Sequence, residues 1–135
     1  MKKILVGTDT SASADLAVRE AARLASAGDA ELLVLQVRSD ASVRDAVDPK
    51  KSADPNRYLD DMSRRFPTLK VRSWAESGEP AERLVAVAES ERVDTIVLGN
   101  RGMHGSWWRV RDSVPNIVLR HAPCSVMIVD TRAAQ

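Results

Sequence analysis

The stretch DTIVLGNRG, residues 94–102, joins an apolar run to a glycine-rich turn. Its run Ile96–Leu98 has no polar alternation, as in a strand of a parallel sheet that helices cover on both faces. Similar runs occur at Ile4–Val6, Leu32–Leu35 and Val126–Val129. A weaker candidate, about residues 69–75, interleaves Lys70 and Arg72 with apolar residues, which is typical of a half-exposed edge strand. The sequence therefore predicts five short strands.

Helical patterns fill the gaps between these strands. After a capping serine, Ser11 or Ser13, apolar residues recur at i, i+4, i+7 and i+8 until Gly28 ends the run. A second helix is predicted behind Pro80, because proline is favoured in a first helical turn. A third opens at Asp112-Ser113 and closes near residues 120–121.

The remaining segments carry weaker patterns. Residues 56–65 form a less certain helix, residues 39–54 indicate a polar connection, and the tail from Thr131 is expected to fray. A chain of 135 residues, 44% of them hydrophobic, is sufficient for one core. We therefore expect a single domain over residues 1–135.

The order of the elements, β-α-β-(α)-β-α-β-α-β, is typical of an α/β protein with helices on both faces of a parallel sheet. Right-handed crossovers and a weak third strand at one edge favour the strand order 3-2-1-4-5. The topological switch then lies between the first and fourth strands, and ligands bind beyond the carboxyl ends of strands at such a point. Two loops are thus candidates for a site: residues 7–11 and the turn that begins at Gly99.

The turn Gly99–Gly105 could bind an anion. Glycines let backbone amides approach a phosphate closely, the following helix start adds N–H donors, and Ser113 and Arg101 add a hydroxyl and a charge. Glycines in a loop are as often simple turn formers. The role of Asp9 also has two interpretations: its carboxylate either caps the helix start or accepts hydrogen bonds from a ligand.

Several classes of function are not indicated. No lysine follows the glycines as in a P-loop, and the first loop is not a dinucleotide fingerprint. His104, His121 and Cys124 form neither metal-ligand spacing nor a nucleophile–base pair, so the pattern predicts no catalytic residues. The net charge of +1 and the absence of a long apolar run argue against nucleic-acid or membrane partners and favour a cytoplasmic protein.

Three segments resemble the universal stress protein family, in order along the chain. ILVGTDTS at residues 4–11 resembles its first strand and acidic loop, and residues 94–102 resemble its fourth strand and glycine turn. SVPN at residues 113–116 and RHAPCSVMIV at residues 120–129 are similar to its closing helix and strand. The resemblance covers essentially the whole chain.

This resemblance implies a three-layer α/β/α sandwich of the Rossmann-like, adenine nucleotide alpha hydrolase-like type. It also implies a homodimer, formed through the last strand at Ser125–Asp130, and a nucleotide such as ATP or AMP as ligand. In members that bind nucleotide, the residues matching Asp9 and Val37 hold the nucleoside, and glycines matching Gly99 and Gly102 line the ribose and phosphates. The predicted site comprises Gly7, Thr8, Asp9, Val37, Leu98, Gly99, Arg101, Gly102, Asp112, Ser113 and Val114.

Asp112 departs from the family pattern, which has a glycine there, separated by nine residues from the position matching Gly102 and directly before a serine or threonine. A carboxylate about 4 Å from a phosphate costs on the order of 4 kcal/mol at an effective dielectric near 20. Two effects would offset this cost: a bridging Mg²⁺ or Mn²⁺ ion, or neutralisation by Arg109 and Arg111. A ligand with a single phosphate, or none, would avoid most of it.

Two functions therefore compete. The first is a dimeric, nucleotide-binding stress-response regulator without clear catalytic machinery, capable at most of slow ATP hydrolysis. The second is a universal stress protein that binds no nucleotide and acts as a dimerisation or protein-interaction module. Asp112 and the neighbouring Trp107-Trp108 pair motivate the second function.

Overall fold

The computed structural model describes residues 2–9, 11–38, 61–100 and 113–131. Five strands and three helices have full bounds within these ranges. In chain order they are β1 Lys3–Thr8, α1 Ala12–Gly28, β2 Glu31–Arg38, β3 Val71–Ser77, α2 Pro80–Ser90, β4 Thr95–Gly99, α3 Val114–His121 and β5 Ser125–Val129. Residues 61–65 are also helical.

The strands form one parallel sheet in the order β3-β2-β1-β4-β5, as predicted. β1 pairs with β2 on one side, Val6 opposite Val34, and with β4 on the other, Val6 opposite Val97. The three central strands are buried on both faces, which explains their nearly uninterrupted apolar runs. The expected edge strand β3 is present and alternates between half-buried and exposed residues.

Two hydrophobic cores cover the opposite faces of this sheet. Val6, Val34 and Val97 pack with the small-residue face of α1 on one side. Leu5, Leu33 and Ile96 pack with α2 and α3 on the other. The helical residues 61–65 join the α1 side through Met62, whose side chain is fully buried.

The ends of α1 show why the helix begins and stops where the sequence predicts. The Ser11 hydroxyl accepts a hydrogen bond from the Ala14 amide at 3.1 Å, so Ser11 is the N-cap. Asp29 takes the left-handed conformation, with φ of 51°, and donates its amide to the Ala25 carbonyl.

The structure corrects two expectations. β3 lies two residues later than the predicted 69–75, because Leu69 and Lys70 belong to the turn that leads into it. The tail was expected to fray from Thr131, and this is wrong for Thr131 itself, which is fully buried and donates hydrogen bonds from its amide and hydroxyl to the Asn100 side chain. The rest of the predicted tail, residues 132–135, lies outside the described residues. The buried chain thus extends past β5. The predicted connection at residues 39–54 lies outside the described residues, as does the first half of the predicted helix at 56–65.

The amino-terminal edge of the sheet carries an ion-pair network. Arg72 of β3 donates to the nearly buried Glu31 of β2 at 2.5 Å and to Glu91, after α2, at 2.6 Å. Lys3 of β1 contacts the same Glu91 and donates its backbone amide to Asp94 at 2.8 Å. We call these five residues the amino-edge network. None of the described helices is both long and apolar enough to span a membrane.

Candidate functional site

A cavity of about 570 Å³ opens at the carboxyl-terminal edge of the sheet, where β1 and β4 diverge. The first helix after β1 goes to one face of the sheet, whereas α3 follows β4 on the other face, so a crevice forms between their starts. This is the switch point predicted from the strand order. Its volume falls within the range of small-molecule sites.

The inner wall of the cavity is apolar. It is built from side chains on the α2–α3 face of the sheet together with two prolines at helix starts. The residues on this wall are Leu35, Val37, Leu84, Leu98, Val114, Pro80 and Pro115. Gly7 belongs to the same wall, and a Cβ there would lie 3.1 Å from two Leu84 methyl groups. The missing side chain at Gly7 thus lets Leu84 pack against β1.

The mouth of the cavity is polar. Thr8, Asp9, Ser11 and Ser13 line it at the start of α1. The Asp9 carboxylate accepts a hydrogen bond from the Ser11 amide at 2.9 Å, and Asp9 is a solvent-exposed residue. This bond stabilises the turn before α1, and one carboxylate can accept several hydrogen bonds, so both interpretations of Asp9 remain compatible with the structure.

Ser113 stands at the opposite side of the mouth, as the residue before α3. It has the backbone conformation of an N-cap, yet its hydroxyl makes no capping hydrogen bond. The side chain is 7% exposed, and its hydroxyl has no hydrogen-bond partner among the described residues. A buried hydroxyl without a partner is unfavourable by about 1–3 kcal/mol, and Ser113 is also one of the residues that line the cavity.

The cavity brings together most of the residues that the sequence predicted for the site. These are Gly7, Thr8, Asp9, Val37, Leu98, Gly99, Ser113 and Val114. The other predicted residues, Arg101, Gly102 and Asp112, lie outside the described part of the chain. The role of all of them in binding a nucleotide stays a prediction.

Sequence reasoning missed several lining residues. Leu84 is one of them, although the apolar stripe of α2 contained it, because that stripe indicates a core position and not a cavity. Leu35 was likewise predicted only as part of a buried strand. Whether a core residue also faces a cavity depends on where the next element leaves the sheet, and a single sequence does not encode this locally.

Two of the three side chains considered for catalysis, Cys124 and His121, lie away from the cavity, and the third, His104, lies outside the described residues. Cys124 precedes β5 at the amino-terminal edge of the sheet, and burial raises the pKa of its thiol, which disfavours the nucleophilic thiolate. His121 is exposed in the last turn of α3. Within the described ranges, no group of three or more His, Cys, Asp or Glu residues could hold a metal ion.

Comparison with known proteins agrees with this geometry. The sequence profile of the universal stress protein family matches residues 1–130. The chain belongs to this family. A universal stress protein of Mycobacterium tuberculosis strain H37Rv is 33% identical over 142 aligned residues, covering 96% of this chain and 97% of its own.

Solved universal stress protein structures share the fold. One in complex with cAMP superposes with a TM-score of 0.81 at 27% identity, covering 96% of this chain and 97% of its own. UspA from Lactobacillus plantarum superposes with a TM-score of 0.73 at 28% identity, covering 95% and 97%. The predicted family and Rossmann-like fold are therefore confirmed.

Proposed function

We propose that this universal stress protein binds an adenine nucleotide, ATP or AMP, in the cavity between β1 and β4 and acts as a stress-response regulator. The observation that carries the proposal is the buried hydroxyl of Ser113, a residue that lines that cavity at the start of α3 and whose hydroxyl has no hydrogen-bond partner in the part of the chain that the structure describes. A phosphate oxygen there would accept from the hydroxyl and from the Val114 backbone N–H at the start of α3.

The shape and polarity of the cavity suit a nucleoside with its phosphate. The apolar wall of Leu35, Val37, Leu84 and Leu98 can contact a flat base, because dispersion and burial favour aromatic rings on such surfaces. Asp9 at the polar mouth can accept hydrogen bonds from ribose hydroxyls. A related universal stress protein has been crystallised in complex with cAMP, a nucleotide with a single phosphate.

The number of phosphates depends on Asp112, which precedes Ser113 in the sequence. A carboxylate next to the phosphate position repels additional phosphates unless a divalent cation lies between them. We therefore propose AMP or another monophosphate as the tighter ligand without metal, and ATP as a ligand that requires Mg²⁺ or Mn²⁺.

The biological form that we propose is a cytoplasmic homodimer without metabolic turnover. β5 lies at the sheet edge, and its residues Val126–Val129 are apolar but only partly buried. An exposed apolar edge strand favours pairing with another copy, and a symmetric dimer removes the exposed edge from both chains. Analytical ultracentrifugation of the native chain and of Met127→Lys tests this assembly.

Calorimetric titration tests the nucleotide site. ATP and AMP are each titrated with and without Mg²⁺ into the native protein and into Asp112→Gly. We expect native AMP binding without metal, and a gain of about tenfold or more in metal-free ATP affinity when the carboxylate is removed. Asp29→Gly is the matched control, because it makes the same chemical change at the far end of α1.

The outcomes separate the two candidate functions. If the native chain binds neither nucleotide at millimolar concentration, the second candidate function, an interaction module, is favoured. Asp112 in place of the family glycine would then mark a site that no longer binds phosphate. Unchanged ATP affinity in Asp112→Gly would refute the proposed repulsion and leave the nucleotide site intact. Steady release of ADP by the purified protein would establish hydrolysis.

A further inference from the structure

Gly99 begins the turn that the sequence predicted to bind a phosphate. In the structure, the space that a side chain of this residue would take is bordered by Thr131. An added Cβ would lie 3.0 Å from the Thr131 Cγ2 methyl, which is closer than van der Waals contact permits. The next nearest atoms are the Ser13 carbonyl oxygen at 3.7 Å and the Thr131 hydroxyl at 3.8 Å. The absence of a side chain at Gly99 therefore leaves room for the Thr131 methyl group.

Backbone conformation does not explain this glycine. Among the described glycines only Gly78 has a positive φ, at 133°. Gly99 ends β4 with ordinary strand pairing to Val129. A larger residue at this position is disfavoured by the space that Thr131 fills and not by strain of the main chain.

Thr131 is fixed in that space by Asn100. The Asn100 side-chain oxygen accepts from the Thr131 amide at 2.9 Å and from its hydroxyl at 3.0 Å. The backbone amide of Asn100 donates to the Val129 carbonyl at 3.0 Å. Thr131 is 0% exposed, so these hydrogen bonds are shielded from water and hold a single arrangement. We call Gly99, Asn100 and Thr131 the turn latch.

We infer that the turn latch positions the cavity wall: Asn100 and Thr131 act as positioning residues that hold the end of β4 where it lines the site. Gly99 borders the cavity with its backbone, so a shift of a few tenths of an ångström there moves the wall against any bound ligand. Gly99 is thus a glycine because of Thr131 and not because a phosphate must approach it. The inference rests on the proposed nucleotide site.

A compensating pair of substitutions tests the latch. Gly99→Ala places a methyl group against Thr131 Cγ2, and Thr131→Ser removes that methyl while keeping the hydroxyl for Asn100. We expect Gly99→Ala to weaken AMP binding about fivefold or more in calorimetry, and the double variant to return within about twofold of native affinity. Gly28→Ala is the matched control, because nothing lies within 4 Å of its added Cβ.

Thr131→Val provides a second, milder test, because it keeps the shape of the side chain and replaces the hydroxyl with a methyl group. Its hydrogen bond to Asn100 is lost while the backbone bond from Thr131 persists. We expect about a threefold loss of AMP affinity, with the thermal midpoint measured in parallel for every variant. This variant also serves if Gly99→Ala fails to fold.

Each result has one meaning. If the double variant binds as weakly as Gly99→Ala, the glycine serves the ligand directly and the inference is wrong. If both tests lower the thermal midpoint and leave the affinity unchanged, the latch is only structural and the inference is equally wrong. If the native protein binds no nucleotide, the proposed function fails, and the inference with it.

Discussion

Two buried polar side chains, one at each edge of the sheet, differ in how they are satisfied. At the amino-terminal edge, Glu31 is nearly buried but has Arg72 at 2.5 Å and Lys70 at 4.0 Å. At the carboxyl-terminal edge, the Ser113 hydroxyl is just as buried and has no partner within the described ranges. Glu31 is thus satisfied within the protein, as is Thr131 at the carboxyl-terminal edge, whereas Ser113 lines a cavity of about 570 Å³.

This difference separates stability from binding. Charges that pair across strands hold the register of β1, β2 and β3 at one end. At the other end, an occupying ligand would add packing in the cavity and a hydrogen bond to the Ser113 hydroxyl, which lacks a partner among the described residues. Substitutions at the amino-terminal edge should therefore change stability alone, and those at the carboxyl-terminal edge should change ligand affinity.

The largest effect is expected from Arg72→Met. This change keeps the apolar stem of the side chain and leaves the Glu31 carboxylate without its closest cation. Because the Arg72 side chain is 43% exposed and Lys70 remains nearby, we expect a loss of about 2 kcal/mol in the free energy of unfolding, below the value for a fully buried pair. Chemical denaturation measures it.

A control isolates the burial of Glu31. Arg23 pairs with Glu20 on the exposed surface of α1, so Arg23→Met removes an ion pair without stranding a buried carboxylate. Its effect on stability should be clearly smaller than that of Arg72→Met. AMP affinity should stay unchanged in both variants, and a loss of affinity in Arg72→Met would contradict the separation of the two edges.

A smaller effect is expected from Ser113→Ala, and it should fall on binding. The hydroxyl has no partner to lose among the residues that the structure describes, so its removal should leave the unfolding free energy unchanged or slightly raised. AMP affinity should fall about tenfold, because a hydroxyl bond to a charged phosphate contributes about 1.5 kcal/mol or more. Ser113→Thr keeps the hydroxyl and should bind AMP nearly as the native protein does.

The same substitution at Ser11 sharpens this contrast. The Ser11 hydroxyl accepts from the Ala14 amide at 3.1 Å, so Ser11→Ala should lower stability by about 1 kcal/mol through loss of the N-cap. Two serines at the same cavity mouth should thus respond with different signs in stability. Equal destabilisation by both alanine variants would mean that the Ser113 hydroxyl has a partner in the folded protein.

Much of the fold followed from local pattern. Unbroken apolar runs such as Leu32–Leu35 predicted central strands, and Ser11 and Gly28 predicted the start and end of α1. The strand order then placed the cavity, because in a doubly wound sheet the switch point follows from topology alone. Residues at that point, such as Asp9 and Ser113, could therefore be predicted for the site before any geometry was known.

Contacts between residues distant in sequence could not be predicted in this way. Thr131 looked like the start of a polar tail, yet it is buried by Asn100, which lies 31 residues earlier. Arg72 looked like a solvent-facing edge residue, although it pairs with Glu31 and Glu91. Both cases depend on which side chains the completed sheet brings together, and no local periodicity encodes that pairing.

The smallest expected effect is the pH dependence of the amino-edge network. Hydrogen bonding to Arg72, with a lesser contribution from Lys3, lowers the pKa of Glu91 from its ordinary value of 4.5. A carboxyl whose pKa is lower in the folded state contributes stability above its unfolded pKa and loses it as the pH falls through the folded one.

Native thermal stability should therefore decline below about pH 4.5 more steeply than that of Glu91→Gln, which has no carboxylate to protonate. Because the Glu91 side chain is 30% exposed and its partner Arg72 is 43% exposed, solvent screens the pair, and the difference between the two pH profiles should be small at high salt. Parallel profiles at low salt would mean that Arg72 acts through Glu31 alone, and the amino-edge network would then reduce to one buried pair.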